Sequence, residues 1–348
     1  MLFHFYPYLL LLIHKDKPTI SQQLKASIVL CARNEENNIL QCIQGILKQE
    51  GSWELILVDD GSSDGTSEIM KSFVREDVFY HRLDIDKSKF PGKKYALQFG
   101  IEQANNPIII VTDADCIPYS SQWVVHLLSQ FDNQTELVIG YGPYWRTEGL
   151  FNLVAIYECI YTAIKYLSLS KVGLTYMGVG RNMAYRKQTF TDNKGFSSHL
   201  HIASGDDDLF VRDIAKRCNT RIVTDKKSHM YSMAASNWKA FLQQKKRHLS
   251  VGFEYGLTMK FILGMELIAV FGFYLFFLLI FLQNKSTELA LCLLLCKLLI
   301  HSLVFGLIAR NWGQPMWILR IAVIDILHLI SYIYISATLL INKKITWR

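Results

Sequence analysis

Polar and apolar positions divide the chain into three stretches of different character. Met1–Ile13 is almost wholly apolar. From about Lys25 to Lys260, short apolar runs alternate with amphipathic ones. From Phe261 to Ile341 the chain is apolar again, and its only acidic or basic residues are Glu266, Lys285, Glu288, Lys297, Arg310, Arg320 and Asp325. In the middle stretch, Ala26–Cys31 reads as a buried strand. Ile39, Ile43, Ile46 and Leu47 recur at helical spacing within Glu36–Gln49. Trp53–Val58 predicts a strand, Thr66–Val74 a helix, Asp77–Leu83 a strand, Lys94–Ala104 a helix and Ile108–Thr112 a β-branched strand. Strand and helix alternating at this spacing predict an α/β fold, a mostly parallel sheet with helices on both faces. Right-handed crossovers then gather the strand C-termini on one edge, where ligands bind.

A helix needs about 20 apolar residues to cross a bilayer. Ile262–Leu282, Leu289–Ala309 and Trp317–Ile341 qualify, separated by short polar breaks. Met1–Ile13 is too short to span and contains Pro7; no basic residue precedes it and no small-residue cleavage site follows. It reads as an interfacial helix or part of a span rather than a signal peptide. The expected organisation is therefore a short membrane-associated segment (1–24), an α/β domain (25–235), an amphipathic interfacial segment (236–260) and about three C-terminal transmembrane helices (261–348). Trp238 and Phe241 of the interfacial segment are expected to bury in the membrane surface.

Composition narrows the picture. The chain has 348 residues, 51% hydrophobic and 19% charged, with a net charge of +7. That apolar content excludes a disordered or fibrous chain. The seven cysteines form no C-x-x-C pair, so neither a disulfide framework nor a zinc site is expected, and reduced cytosolic thiols are the simplest reading.

Polar residues cluster where the sheet edge wants them. Strand one ends in Ala32-Arg33-Asn34-Glu35-Glu36, strand two in Asp59-Asp60-Gly61-Ser62-Ser63-Asp64-Gly65-Thr66, and the strand at Ile108 in Asp113-Ala114-Asp115. Each has a bland reading alone: a turn, a helix cap, a solvated loop. Together at one edge, they suit a divalent metal and a diphosphate. Hard ions such as Mg²⁺ or Mn²⁺ prefer carboxylate and phosphate oxygens, and they neutralise charge on a diphosphate leaving group. Lys93 and Lys94 open a helix near the same edge; a plain solvated helix start is the alternative.

These residues, in order, resemble glycosyltransferase family 2. The resemblance rests on Ser27–Glu36, Val58–Thr66, Gly92-Lys93-Lys94-x-Ala96-Leu97, Thr112–Asp115, Gly180–Arg186 and Ser204–Phe210, from about Ser27 to Ser250. It implies a GT-A nucleotide-sugar-binding fold and metal-dependent transfer with inversion. Carried over, Glu35, Asp60 and Lys93 bind the nucleotide sugar. Asp113 sits by the ribose or metal, and Asp115 ligates the metal. The base comes from Gly205-Asp206-Asp207-Asp208: Asp207 by one alignment, Asp206 by an alignment shifted one residue to fit Leu209–Arg212. The charged triple at a helix start also has a purely electrostatic reading.

Processive members of the family carry Gln-x-x-Arg-Trp before the membrane helices. Here Gln244 and Arg247 match, but His248 replaces the tryptophan, which puts processivity in doubt. Arg247 is expected to hold a diphosphate or the acceptor head group, and Lys245–His248 also reads as a basic stretch on anionic lipid. The expected activity is transfer from a nucleotide sugar, UDP-linked by expectation, to a lipid-linked or glycan acceptor. Alternatives are a processive polysaccharide synthase and a non-catalytic membrane assembly subunit. A nucleotidyltransferase would need a Gly-rich basic loop after strand one, which is missing, and the sparse ionisable groups of the spans argue against a transporter. Membrane lipid is an expected partner and nucleic acid is not; oligomerisation stays open. The basic α/β domain places itself in the cytosol at the inner or plasma membrane. Three spans would then put the basic Lys343-Lys344 tail outside. Either the charge rules for the N-terminus and tail are too weak here, or one segment is re-entrant, in which case Arg320, Asp325 and His328 make Trp317–Ile341 the first candidate.

Overall fold

The computed structural model describes residues 2–18, 24–84, 92–202, 204–215, 219–283 and 286–341. The Lys343-Lys344 tail, Cys218 and Lys285 lie outside them. The chain divides into two compact units: 15–145 with 170–234, and a helical unit of 1–14, 146–169 and 235–345.

Helix α1 (Leu2–Leu12) opens the helical unit. The elements β1 (Ala26–Ala32), α2 (Ile39–Leu47), β2 (Trp53–Asp59), α3 (Thr66–Lys71), β3 (Val78–Arg82), α4 (Lys94–Gln103) and β4 (Ile108–Asp113) follow in the α/β unit. Each coincides with a predicted element to within a few residues at its ends. Next come β5 (Cys116–Pro118), α5 (Trp123–Leu128), β6 (Thr135–Gly140) and α6 (Leu150–Lys171). After these the chain forms β7 (Met183–Arg186), α7 (Lys187–Asp192), α8 (Asp208–Ala215), β8 (Asn219–Val223) and β9 (Met230–Ser232). The helices α9 (Trp238–Val251), α10 (Leu257–Leu282), α11 (Thr287–Asn311) and α12 (Ile318–Ile341) complete the described chain.

The main sheet has seven strands in the order β3-β2-β1-β4-β7-β6-β8. β1, β2, β3 and β4 run parallel, β7 is antiparallel to both neighbours, and β8 is parallel to β6. The central strands are buried on both faces, which is why they read as unbroken Ile/Val/Leu runs. α2 buries Ile39, Cys42, Ile43 and Ile46, one stripe of a helix. α4 lies so close to the sheet that a Cβ at Gly100 would come within 2.6 Å of Val29 and 2.9 Å of Val58. A side chain there would push helix and sheet apart.

Register places the candidate site. Cys31 pairs with Asp113 and Ala32 with Asp59, so β1, β2 and β4 end side by side. β7 enters in the opposite sense, with Met183 beside Val111. Its preceding loop, Val179–Asn182, therefore comes to the same edge. Asn182 fixes that loop: it accepts from Trp123 Nε1 at 2.9 Å and donates to the carbonyls of Tyr141 and Ser228 at 2.8 and 2.9 Å.

In the helical unit, α6, α10, α11 and α12 are each long and apolar enough to cross a membrane. α6 has no counterpart among the predicted spans. β6 before it and β7 after it pair directly, Leu137 with Tyr185 and Ile139 with Met183, so both its ends return to one sheet. A crossing would drag the short non-helical segment 172–182 back through the hydrocarbon with unpaired backbone. Burial agrees: 72% of α6's apolar window is enclosed by protein, against 6% for α10 and 28% for α11 and α12. The three C-terminal helices present the lipid-compatible surface.

Two expectations need correction. α12 is one uninterrupted helix, not an irregular segment. Its polar residues are accommodated sideways: Asp325 pairs with Lys297 of α11 and accepts from Tyr274 of α10 and Tyr157 of α6, and His328 packs against Tyr157 and Tyr161. On α9, Phe241 and part of the basic run pack into the helical unit instead of lying on the membrane surface. Lys245 is buried in an ion pair with Glu158 of α6, and Phe241 is buried against Phe151, while Trp238 is exposed. Glu266 of α10 accepts from Tyr161 at 3.0 Å and pairs with Lys165 at 3.1 Å.

Candidate active site

At the end of β2, Asp59 and Asp60 have different fates. Asp59 is buried and accepts from Ser62 N, Ser67 Oγ, Tyr80 Oη and Arg82. Desolvation opposes its charge, yet these bonds and Arg82 hold its carboxyl below the usual range. Asp59 is thus occupied in shaping the turn. Asp60, also buried, is tied by its backbone N–H to the Ala32 carbonyl at 2.9 Å, which joins the β1 and β2 ends. Asp64 serves the turn too, accepting from Thr66 N and Oγ1.

Glu35 follows β1 with its N–H bonded to Thr66 Oγ1 at 2.8 Å, and its carboxylate accepts from Asn38 at 2.7 Å. Burial raises its pKa, the Asn38 bond opposes this, and the charges of Asp115, Asp113 and Asp64 add to the rise. Glu35 therefore shares an electrostatic neighbourhood with the β4 end.

Lys93 links the β4 end to the head of α8. Its Nζ lies 2.5 Å from Asp113 Oδ1 and 2.8 Å from Asp206 Oδ2. Burial disfavours its charge, but Asp113 and Asp206 hold the ammonium well above its usual pKa. Lys94, the next residue, is fully buried, and desolvation lowers it to about 8. Neither lysine is the solvated helix start that the sequence also allowed.

The acidic triple sits where the chain turns into α8. Gly205 has φ +87°, and a Cβ there would meet Leu209 at 2.5 Å, so the turn requires glycine. Asp207 accepts from Gly180 N at 3.0 Å and from Asp208 N at 2.8 Å. Desolvation and then the Asp206 charge raise its pKa to about 6. Asp206 is held by Lys93. Asp208 is buried in the first turn of α8.

Ligand oxygens of Asp113 and Asp115 lie within 4.8 Å of each other and of Cys116 Sγ. Asp115 reaches solvent, yet the protein packed around it and then the Asp113 charge raise its pKa. Two carboxylates crowded in this way suit a hard divalent ion. Cys116 does not: burial pushes its thiol well above the usual range, and it donates to Asp115 Oδ1 at 3.3 Å. The donor set therefore fits Mg²⁺ or Mn²⁺ on Asp113 and Asp115, with the thiol as a neighbour that orients Asp115.

The structure thus brings together Glu35, Asp60, Lys93, Asp113, Asp115, Asp206 and Asp207. Gln244 and Arg247 lie one turn apart on α9, in the helical unit. Sequence reasoning passed over two residues here. Arg181 donates to the Gly142 carbonyl, lies 5.1 Å from the Tyr144 ring centre, and its charge acts on Asp115. Its place in the Gly180–Arg186 motif was the available signal. The other is Gly180, whose backbone N–H holds Asp207.

The description "Glycosyl transferase family 2" matches residues 27–192, and "Glycosyl transferase family group 2" matches residues 122–341. The chain belongs to the family 2 glycosyltransferases. It is 33% identical over 102 residues to glycosyltransferase AglE of Haloferax volcanii, covering 28% of this chain and 32% of that protein. It is 23% identical over 237 residues to a 4,4'-diaponeurosporenoate glycosyltransferase of Staphylococcus haemolyticus, covering 65% and 61%. An undecaprenyl-phosphate 4-deoxy-4-formamido-L-arabinose transferase of Proteus mirabilis is 34% identical over 96 residues, covering 26% and 29%. The chain thus spans between about a third and three fifths of the length of these curated relatives. Among solved structures, the mannosyltransferase PcManGT of Pyrobaculum calidifontis, in complex with GDP-Man and Mn²⁺, superposes with a TM-score of 0.56 at 16% identity, covering 92% and 95% of the two chains. That likeness establishes the shared fold, a GT-A-like sheet followed by long apolar helices.

Proposed function

We propose that this protein is a membrane glycosyltransferase that moves a sugar, of hexose type, from a nucleotide sugar to a lipid-linked or glycan acceptor, with inversion. The observation that carries the reading is the Lys93 bridge: one half-buried ammonium joins the carboxylates of the β4 end to those at the head of α8. Donor-binding and proton-accepting groups then share one edge of the sheet.

Glu35 and Asp60 are assigned to the base and ribose side of the nucleotide, with Lys93 and Asp113 beside them. Asp113 and Asp115 would hold Mg²⁺ or Mn²⁺, which supplies charge neutralisation for the leaving diphosphate. Asp207 is the proton acceptor. Its carboxylate is half-buried and its raised pKa lies near the working range of a general base. The backbone N–H groups of Gly180 and Asp208 fix its orientation. Asp206 is the weaker choice, because its ion pair with Lys93 competes for its lone pairs. The acceptor hydroxyl approaches the anomeric carbon opposite the diphosphate, gives its proton to Asp207, and forms the new glycosidic bond as the sugar–phosphate bond breaks. Gln244 and Arg247 are assigned to the acceptor or a diphosphate.

Relatives named for diaponeurosporenoate and undecaprenyl phosphate support a lipid-borne acceptor. So do the lipid-compatible faces of α10, α11 and α12. We place the α/β unit in the cytosol at the cell membrane. A screen of purified full-length protein against UDP- and GDP-sugars with Mg²⁺ or Mn²⁺, reading nucleotide release, tests the activity. Release from none of them, with acceptor lipid supplied, would leave a non-catalytic assembly subunit as the better reading.

A further inference from the structure

Two glycines at the end of β6 make room for two consecutive side chains of the loop before β7. A Cβ at Gly140 would lie 2.4 Å from Asn182 Nδ2, and one at Gly142 would lie 2.4 Å from Arg181 Nε and 3.0 Å from its Cγ. Asn182 already ties this segment down, donating to the Tyr141 and Ser228 carbonyls. Arg181 crosses directly over Gly142. Its Nε donates to the Gly142 carbonyl at 3.1 Å, its Nη2 donates to the same oxygen, and its Cζ stands 5.1 Å from the centre of the Tyr144 ring. A carbonyl and a ring face hold a guanidinium in place without neutralising its charge.

That charge sits at the reacting edge. Tyr144 bridges to Ser232 of β9, and Ser232 pairs with Cys116, the residue after Asp115. The protein packed around Asp115 and Cys116 raises both pKa values, and the Arg181 charge opposes the rise at each, as only a nearby charge can. The residue before it, Gly180, gives its N–H to Asp207. Arg181 therefore lies by the proposed metal ligand and follows the residue that holds the proposed base. Positive charge is what a diphosphate needs there. Asp113 and Asp115 would cancel the charge of a divalent ion, and Asp206 offsets Lys93. As the sugar–phosphate bond breaks, its electron pair passes to the diphosphate and adds to the charge to be stabilised.

We propose that Arg181 is a catalytic residue that binds the leaving diphosphate, with Gly142 kept small to admit it; this rests on the nucleotide-sugar reading above. Its planar fork suits two phosphate oxygens at once.

The test uses full-length protein in detergent, with calorimetric affinities for UDP, UMP, GDP and GMP in Mn²⁺ and with nucleotide release as the rate. Wild type should bind one diphosphate more tightly than its monophosphate. Arg181→Met should weaken that diphosphate roughly ten- to a hundredfold, the loss of a charged hydrogen-bonded contact, and leave the monophosphate unchanged. It should also lower kcat on the order of a hundredfold. Arg181→Lys, which keeps the charge but not the fork, should recover part of both. Gly142→Ala keeps the guanidinium but drives it aside, so it should lose the same preference, and it serves should Arg181→Met fail to fold. A wild-type preference in both Arg181→Met and Gly142→Ala overturns the role. So does equal weakening of diphosphate and monophosphate, which marks a scaffold only, and so does loss of the preference in Arg247→Met but not in Arg181→Met, which assigns the diphosphate to α9. Wild-type protein with no affinity for either diphosphate removes the donor reading and this role together, whereas a preference that survives in the variants removes the role of Arg181 alone.

Discussion

Replacing Asp207 with asparagine separates binding from chemistry. The side chain keeps its size, so the turn at Gly205 and the head of α8 are undisturbed. Of its two accepted bonds, from Gly180 N and Asp208 N, the amide oxygen retains one, and the amide nitrogen faces the other donor. That mismatch costs about 1–3 kcal/mol. It is partly offset, because the neighbouring Asp206 no longer faces a like charge. The fold should therefore survive with a modestly lowered melting temperature. The catalytic loss is larger: a positioned general base contributes roughly 10²–10⁴-fold. At about 1.4 kcal/mol per tenfold, this is about 3–5 kcal/mol of barrier. Stopped-flow or single-turnover nucleotide release should fall by that factor, while calorimetric nucleotide affinity stays at the wild-type value. If Asp206→Asn shows this separation and Asp207→Asn turns over normally, the base lies one residue earlier and the reasoning from the Lys93 ion pair is wrong.

Asp115→Ala should abolish Mn²⁺- or Mg²⁺-dependent release and leave the circular dichroism spectrum intact; retained metal-dependent turnover would refute the metal assignment. The acid limb of the kcat profile should fall through about pH 6. The raised Asp207 pKa means that the base is ionised above this value and protonated, hence idle, below it; a limb near pH 4 would exclude Asp207. In the helical unit, Lys297 and Asp325 are both buried and paired. Lys297→Met alone should destabilise the protein in detergent by about 3–5 kcal/mol, and a Lys297→Met/Asp325→Leu double variant should recover much of that. Equal melting temperatures for wild type and the single variant would show that the pair contributes nothing.

The first half of the α/β unit was legible because parallel strands buried on both faces leave unbroken apolar runs, and α2 shows its stripe at Ile39, Ile43 and Ile46. The strand ends at Glu35, Asp60 and Asp113–Asp115 followed from topology. The second half was not legible. β7 and β9 are four and three residues long, too short to show a period. α6 has the length and apolarity of a span, yet 72% of its apolar window is enclosed by protein. The polar residues of the C-terminal helices and Lys245 of α9 find partners, Tyr157, Glu158, Tyr161 and Lys165, that lie far away in sequence on α6. Lys94 sits in a motif that suggests a solvated helix start, and its burial depends on His199, more than a hundred residues later.

The most direct test of the central claim follows a labelled sugar. Membranes containing the full-length protein are given radiolabelled UDP- or GDP-sugar with Mn²⁺, and the product is partitioned between organic and aqueous phases and sized. The account predicts metal-dependent label in an organic-extractable lipid carrying one or a few sugars, absent from Asp207→Asn membranes. Label in a long water-soluble polymer, or the same lipid product from Asp207→Asn, would contradict it.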